Sequence, residues 1–402
     1  MSKELIIRNK YINKVIPLIN TDLIKVLVGQ RRVGKSYLLK TIINHIKNND
    51  KKANIIYIDK ELSDFDFIND YKSLIQFTES AIDVALKNYL FIDEIHDIQQ
   101  FEKALRHFQN KQSIDIYCTG SNANLLSGEL ATFLSGRYIE IKVNTLSYLE
   151  FLEFHSFEND NEAFINYLKW GGLPFIKNLV KHDDVIFDYL RNITSTIIYK
   201  DVIQRYKVRN VDFFENLIHY LANNTGNLFT AKKISDYLKS QKVNISIKVI
   251  LSYLHYLQNA FLIYKLKRIN LSGKNIFATN NKYFFEDWGL RNALLGLSHF
   301  NVPAVLENVV FIHLINQGYE VGVGVLNEQE IDFVAKKNGE ILYIQVAYLI
   351  TDEKVKIREF GNLLLIKDNY PKYVVSLDEY LIGSYKGVKH MHIREFLTTD
   401  KF

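Results

Sequence analysis

Residues 29–36 read "GQRRVGKS", and no other stretch restricts the fold of this chain as tightly. The octet satisfies G-x-x-x-x-G-K-S/T at every defined position, a spacing in which two glycines let the backbone curl until its N–H groups point at phosphate oxygens. Its setting agrees. The apolar "IKVLV" before it reads as a buried strand, and "SYLLKTIINHI" after it carries apolar residues at helical spacing. A helix N-terminus beside such a turn adds partial positive charge, which suits an anion. Gly29, Gln30, Arg31, Arg32, Val33, Gly34, Lys35, Ser36 and Tyr37 are therefore the expected nucleotide-binding residues. Lys35 would reach the β- and γ-phosphates, and the Ser36 hydroxyl would ligate Mg²⁺.

A second motif lies some 60 residues on. "YLFIDEIHDI" is an apolar strand ending in Asp93 and Glu94. A carboxylate at a strand end can hold the water shell of Mg²⁺, and the next can polarise a water for attack on the γ-phosphate. Asp93 is the expected metal residue and Glu94 the expected catalytic base. A third strand ends in "CTGSNANLL", where Asn122 is the candidate sensor of the γ-phosphate, with Thr119 and Ser121 nearby. The alternative is an N-cap for the helix that follows. "LSGRY" supplies Arg137, either a stabiliser of transition-state charge, in cis or across a subunit contact, or a surface arginine.

At 402 residues the chain calls for more than one core. Residues 1–155 alternate β-rich apolar runs with longer mixed segments, the pattern of a parallel sheet with crossover helices, an α/β P-loop NTPase. Residues 156–295 read mainly as helices, and 296–402 return to mixed character. The single Cys118 allows no internal disulfide, which fits a reducing compartment; no apolar run approaches a bilayer span, and the charged start lacks a signal-peptide core. The expectation is a cytoplasmic protein with no membrane partner. A net charge of +5 permits nucleic-acid contact without arguing for it.

With these motifs in view, "GQRRVGKS", "LFIDEIHDI", "CTGSNANLL" and "ELATFLSGRYIEIKVNTLSYLEF" resemble the prokaryotic AAA-type ATPases of the archaeal-ATPase group. Those proteins pair an AAA domain with a C-terminal domain of unassigned function and are relatives of signal-transduction and origin-recognition ATPases. "SGRY…NTLSYLEF" is similar to the family's "SGR…PLSFxEF", with Thr145 where proline is common. The resemblance extends through "YFFEDWGLRNAL" to the C-terminus and implies ATP and Mg²⁺ binding, but no cellular role.

Within the middle region, residues 228–280 read as a winged helix. Thr230 is a candidate N-cap, with Ala231, Ile234, Tyr237 and Leu238 on one helix face. Ile247, Ile250, Tyr253, Leu254 and Leu257 line the next, and "FLIYKLKRIN-LSGK-NIFAT" reads as a hairpin around Gly273. Its second helix can enter a major groove, although its expected exposed residues, Lys248, Ser252 and His255, offer little to phosphates. Lys265, Lys267, Arg268 and Lys274 on the hairpin add charge; the alternative is a protein-facing module. Asp201 and Arg205 are expected to pair at i, i+4 on a solvated helix.

The C-terminal elements, helix, three strands, helix and strand, resemble the restriction-endonuclease-like fold. Active members need a helical Glu, an Asp on the second strand and E-x-K on the third, the carboxylates holding Mg²⁺. Glu307 and Asp332 match, but the third strand reads Gln345-Val346-Ala347. The expectation is a vestigial site of Glu307, Asp332 and Gln345, with Glu330 or Lys354 as compensating neighbours. Expected partners are ATP and ADP, with double-stranded DNA, a protein client and a homo-oligomer as candidates. Three functions follow: an ATPase whose nucleotide state controls the C-terminal modules, a slow ATP-switched DNA-binding regulator, and an ATP-gated nuclease.

Overall fold

The computed structural model describes residues 6–112, 114–123, 134, 136–271, 280–296, 301–326, 329–380, 383–399 and 402. The chain divides into two compact units, Met1–Asn144 with Asn259–Phe261, and Thr145–Gln258 with Leu262–Phe402.

The first unit is a sheet of β1 (Ile24–Val28), β2 (Asn54–Asp59), β3 (Asn88–Asp93), β4 (Ile114–Gly120) and β5 (Tyr138–Lys142) in the order β2-β3-β4-β1-β5. Every neighbouring pair is parallel. Helices α1 (Asn9–Val15), α2 (Lys35–Asn49), α3 (Tyr71–Ala81) and α4 (Phe101–Lys111) accompany it. β1 and β3 are buried along their whole length, which is why they read as unbroken apolar runs. α4 turns Phe101, Ala104, Leu105 and Phe108 inward at helical spacing. Asp70 caps α3 by accepting from Ser73 N, and the Ser73 hydroxyl oxygen accepts from Asp70 N in return. Because all strands run the same way, the loops after β1, β3 and β4 emerge along one edge, with β4 between the other two.

One residue breaks the apolar rule. Lys25, inside β1, is fully buried and lies 2.5 Å from Asp115 Oδ1 on β4, with a further bond to Thr21 O. Asp115 also accepts from Tyr117 Oη and from Asn20 N. Burial lowers the Lys25 pKa, and Asp115 opposes that shift.

In the second unit, α5 (Tyr148–His155), α6 (Asn161–Trp170), α7 (Asp183–Thr196), α8 (Val211–Asn223), α9 (Ala231–Ser240), α10 (Ile247–Asn259) and α11 (Trp288–Leu295) accompany a second sheet. The expected boundary at 155 places α5 with the first sheet, whereas by compactness α5 belongs to the second unit. Bonds of the residues after β5 explain the difference. Thr145 Oγ1 donates to Asp287 Oδ2 at 2.6 Å, and Gly172 N donates to the same oxygen. The expected Asp201–Arg205 pairing presupposes α-geometry, but Ile197–Gln204 is a π-helix and Asp201 is buried.

α9 and α10 stand where expected, with Thr230 accepting from Lys233 N. Tyr237 and Ile247, expected on buried faces, are 63% and 40% exposed. The hairpin also differs. β6 (Ile263–Leu266) pairs antiparallel with β8 (Lys282–Phe285), while β7 (Arg268–Asn270) pairs with β9 (Glu320–Leu326) in the larger sheet. A Cβ on Gly322 would lie 2.5 Å from Ile269 Cδ1, so glycine there makes room for β7. Gly273, Lys274 and the return strand expected at 275–279 lie outside the described residues.

The larger sheet has the order β13-β14-β12-β11-β10-β9-β7, built from β10 (Gln329–Lys337), β11 (Glu340–Val346), β12 (Lys372–Ser376), β13 (Ser384–Tyr385) and β14 (Val388–His392) with the two strands already given. β10 is antiparallel to both neighbours, and β12 is parallel to β11. α12 (Val302–Asn316), apolar on nearly all sides, is buried as such a helix must be. α13 (Glu353–Leu364) turns Phe360 and Leu363 inward onto Ile331, Val334 and Val374. The pairing of β10 with β9 slips between Ile331 and Val334, a bulge beside Asp332.

Candidate functional site

The loop after β1 is held in its curl by glycine. Gly29 has φ +154°, and a Cβ there would sit 2.1 Å from Val143 O, so no other residue fits. Gly34, at φ +99°, opens α2. Lys35 Nζ is buried inside the turn, donating to Gly29 O and Gln30 O at 3.0 Å each and lying 3.7 Å from Glu94 Oε1. Arg31 is buried and reaches Glu61 at 3.4 Å, whereas Arg32 is exposed at φ +70°. Gln30 Nε2 donates to Phe261 O, and Val33 O accepts from Arg8, so these two brace the loop from behind. Tyr37 is 58% exposed on the first turn of α2, its ring under the Lys40 ammonium.

Across β4 stands the acid pair. Asp93 is buried at the end of β3, hydrogen-bonded by the Ser36 hydroxyl and by Thr119 Oγ1. Thr119 also accepts from Glu94 N at 2.8 Å. Tyr57 Oη on β2 donates to Asp93 Oδ2 at 3.4 Å. Glu94 has φ +54°, a left-handed turn that starts a short 3₁₀ helix at Ile95–Asp97. Its carboxylate lies 3.1 Å from His96 Nδ1 on the side away from Lys35. The two acids differ electrostatically. Burial raises the Asp93 pKa, only partly offset by Ser36 and Thr119. Burial also acts to raise Glu94, but the Lys35 ammonium, His96 and Arg31 outweigh it and hold that carboxyl below its ordinary range.

Asn122 is buried two residues beyond β4, on the same edge as the loop. Arg137 is not. Its carbonyl accepts from Ile24 N at the opposite end of β1, and its side chain is exposed. The five residues of β1 separate it from Gly29 by roughly 16 Å, which excludes the expected role in cis. The direction of β5 carried that information, since Arg137 precedes the strand. Thr119, named from sequence only as a neighbour, is the residue that ties both acids together. Tyr57 and His96 gave no signal in the sequence.

The second unit holds the other predicted cluster. Glu307 on α12, Glu330 and Asp332 on β10 all approach one ammonium, that of Lys282 on β8, at 3.3, 2.7 and 3.4 Å. Lys282 is almost fully buried. Asp332 Oδ2 accepts from Val346 N, and Gln345 Oε1 accepts from Asp332 N, so Gln345 supports the backbone of the bulge. Burial raises the pKa of Glu307, which Asp332 reinforces. Lys282 is raised: burial acts to lower it, and Asp332, Glu307 and Glu330 prevail. Sequence reasoning missed Lys282 altogether. Lys354, the other suggested neighbour, lies on exposed surface in the first turn of α13.

Known proteins place these features. Residues 21–152 match the family model of the AAA domain, and residues 161–301 match a domain of unknown function (DUF8612). An uncharacterized protein of Haemophilus influenzae is 38% identical over 404 residues, spanning 99% of this chain and 100% of that protein. An uncharacterized protein of Methanocaldococcus jannaschii is 31% identical, spanning 85% of this chain and 78% of that protein. Among solved structures, the Walker-type ATPase of Pyrococcus abyssi superposes with a TM-score of 0.50 at 16% identity, covering 74% of this chain and 97% of that chain. That likeness shows a shared fold, a parallel-sheet P-loop NTPase in the N-terminal region. Among the described residues no helix is long and apolar enough to cross a membrane.

Proposed function

Since this chain belongs to the family of the Haemophilus and Methanocaldococcus proteins and carries an AAA domain, we propose that it binds ATP in the Gly29–Ser36 loop and hydrolyses it with Mg²⁺. The observation that carries this reading is Lys35 Nζ, buried in the loop and 3.7 Å from the carboxylate of Glu94. Lys35 binds phosphate, the loop amides orient it, and Glu94, held ionised, takes the proton from the attacking water. Ser36 and Asp93, already in hydrogen-bond contact, offer the hard oxygen donors that suit Mg²⁺, which would neutralise charge on the phosphates. Asn122 stands at the edge where the γ-phosphate would lie, and Arg137 acts only across a contact with a second copy.

Phosphate release by purified protein tests the proposal. Lys35→Ala should lose nucleotide binding, whereas Glu94→Gln should retain ATP and fail to release phosphate. Wild type that releases no phosphate and retains no more ATP than Lys35→Ala overturns it.

A regulatory output rests on the second unit. We read α9 and α10 with the β6–β8 pair as a winged-helix module, and α12 to β12 as a restriction-endonuclease-like core whose third strand lacks the catalytic Glu and Lys. Support comes from the helix–helix–hairpin order and from the mixed sheet with its bulge at Asp332. Duplex DNA is the proposed ligand of the module, through Lys265, Lys267 and Arg268; retention of DNA that does not weaken as salt rises rejects it.

A further inference from the structure

The carboxylates of Glu307, Glu330 and Asp332 come from two elements, a buried helix and a bulged strand, and converge near the surface of the second sheet. Converging acids repel one another unless a cation sits among them, and in nuclease-like folds that cation is a divalent metal. Here the fit fails. The Lys282 ammonium stands within 3.4 Å of an oxygen from each acid and is only 4% exposed. A metal ion bonds carboxylate oxygens at about 2.0–2.6 Å, and its charge cannot share that space with an ammonium. Among the described residues, no three His, Cys, Asp or Glu side chains are arranged to hold a metal.

We propose that Lys282 is the resident cation of this cluster, standing where a divalent ion would need to be, so that the C-terminal sheet carries a metal-independent charge clamp instead of a hydrolytic centre. The clamp joins three elements: β8, α12 and β10. It also accounts for two local details. At Gly226, φ +81°, a Cβ would lie 2.8 Å from Glu307 Oε2, so glycine there leaves room for that carboxyl to face the ammonium. Gln345, where a carboxylate would serve a metal, supports the Asp332 backbone instead. The inference is independent of the nucleotide reading, because every residue in it lies in the other unit.

Calorimetric titration of the full chain with Mn²⁺ alone, without nucleotide, tests it. Wild type and Asp332→Asn should give the same isotherm, whatever background the nucleotide loop contributes. Lys282→Met should gain an additional bound ion per chain, and Lys282→Met/Asp332→Asn should lose it again. Binding in wild type that disappears in Asp332→Asn overturns the proposal and marks Lys282 as a lysine that yields to metal. So does a folded Lys282→Met that gains nothing. Should Lys282→Met fail to fold, the wild type and Asp332→Asn comparison decides alone: a matching pair upholds the clamp, a difference rejects it.

Discussion

Thr119 Oγ1 lies 2.5 Å from Asp93 Oδ1 and donates to it, while accepting from the amide of the next residue, Glu94. A single hydroxyl thus fixes the carboxylate proposed to face the metal and the backbone of the proposed base. Thr119→Val keeps the shape and removes both bonds, leaving buried polar groups unmatched at about 1–3 kcal/mol. The expected result is an approximately tenfold to hundredfold fall in the turnover number with a smaller change in ATP affinity. Thr119→Ser should restore most of the rate. Steady-state phosphate release reads the split.

Gly29→Ala should damage the loop more than its one carbon suggests. The added Cβ meets Val143 O at 2.1 Å, a backbone atom that cannot swing aside. Moving the strand end costs on the order of 1–3 kcal/mol. Nucleotide binding should be lost and the melting temperature should fall, both visible in thermal denaturation with and without ATP.

Lys25→Met removes the only charge inside β1 and strands Asp115, which is buried. Breaking one side of a buried ion pair typically costs about 3–5 kcal/mol. Denaturant unfolding should show that loss. Lys25→Met/Asp115→Asn should recover part of it, because the remaining amide still accepts from Tyr117 and Asn20 without a buried charge.

Acid should loosen the second unit through His155. Its ring is packed against Phe151 and Phe157, and burial, with Lys181 and Lys177, depresses its pKa from 6.5 to about 4. Between those values the unfolded chain binds a proton that the folded chain refuses, so stability falls as pH drops. The loss is on the order of 3 kcal/mol once pH is below both values. His155→Phe should flatten the dependence between pH 6.5 and 4, measured as denaturation midpoints across that range.

The nucleotide loop and the acid pair were legible because each is a contiguous motif whose flanking strand and helix have their own periodicity. Their separation by β4 was not written in either motif; it follows from the sheet order, which also makes Thr119 the connecting residue. Lys282 left no local trace. It lies 25 residues from Glu307 and 50 from Asp332, and the pairing of β8 with β6 brings it in, where the sequence suggested a nearer return strand. Asp201 misled for another reason: a π-helix shifts the partner of every side chain, and composition does not announce that shift. The helix, three strands, helix and strand from α12 to β12 stand in the order read, since their alternation and turn residues are local signals, but β13 and β14 were missed and β7 joining that sheet is a long-range event.

Along β4, successive side chains face opposite ways, and Thr119 stands between a buried thiol, Cys118, and Gly120. A slip of one position would present a thiol, weak as donor and as acceptor, or a residue with no side chain to the two acids, and neither matches the hydroxyl that gives one proton while receiving another. The strand that contributes neither acid of the pair therefore sets the phase of the proposed centre.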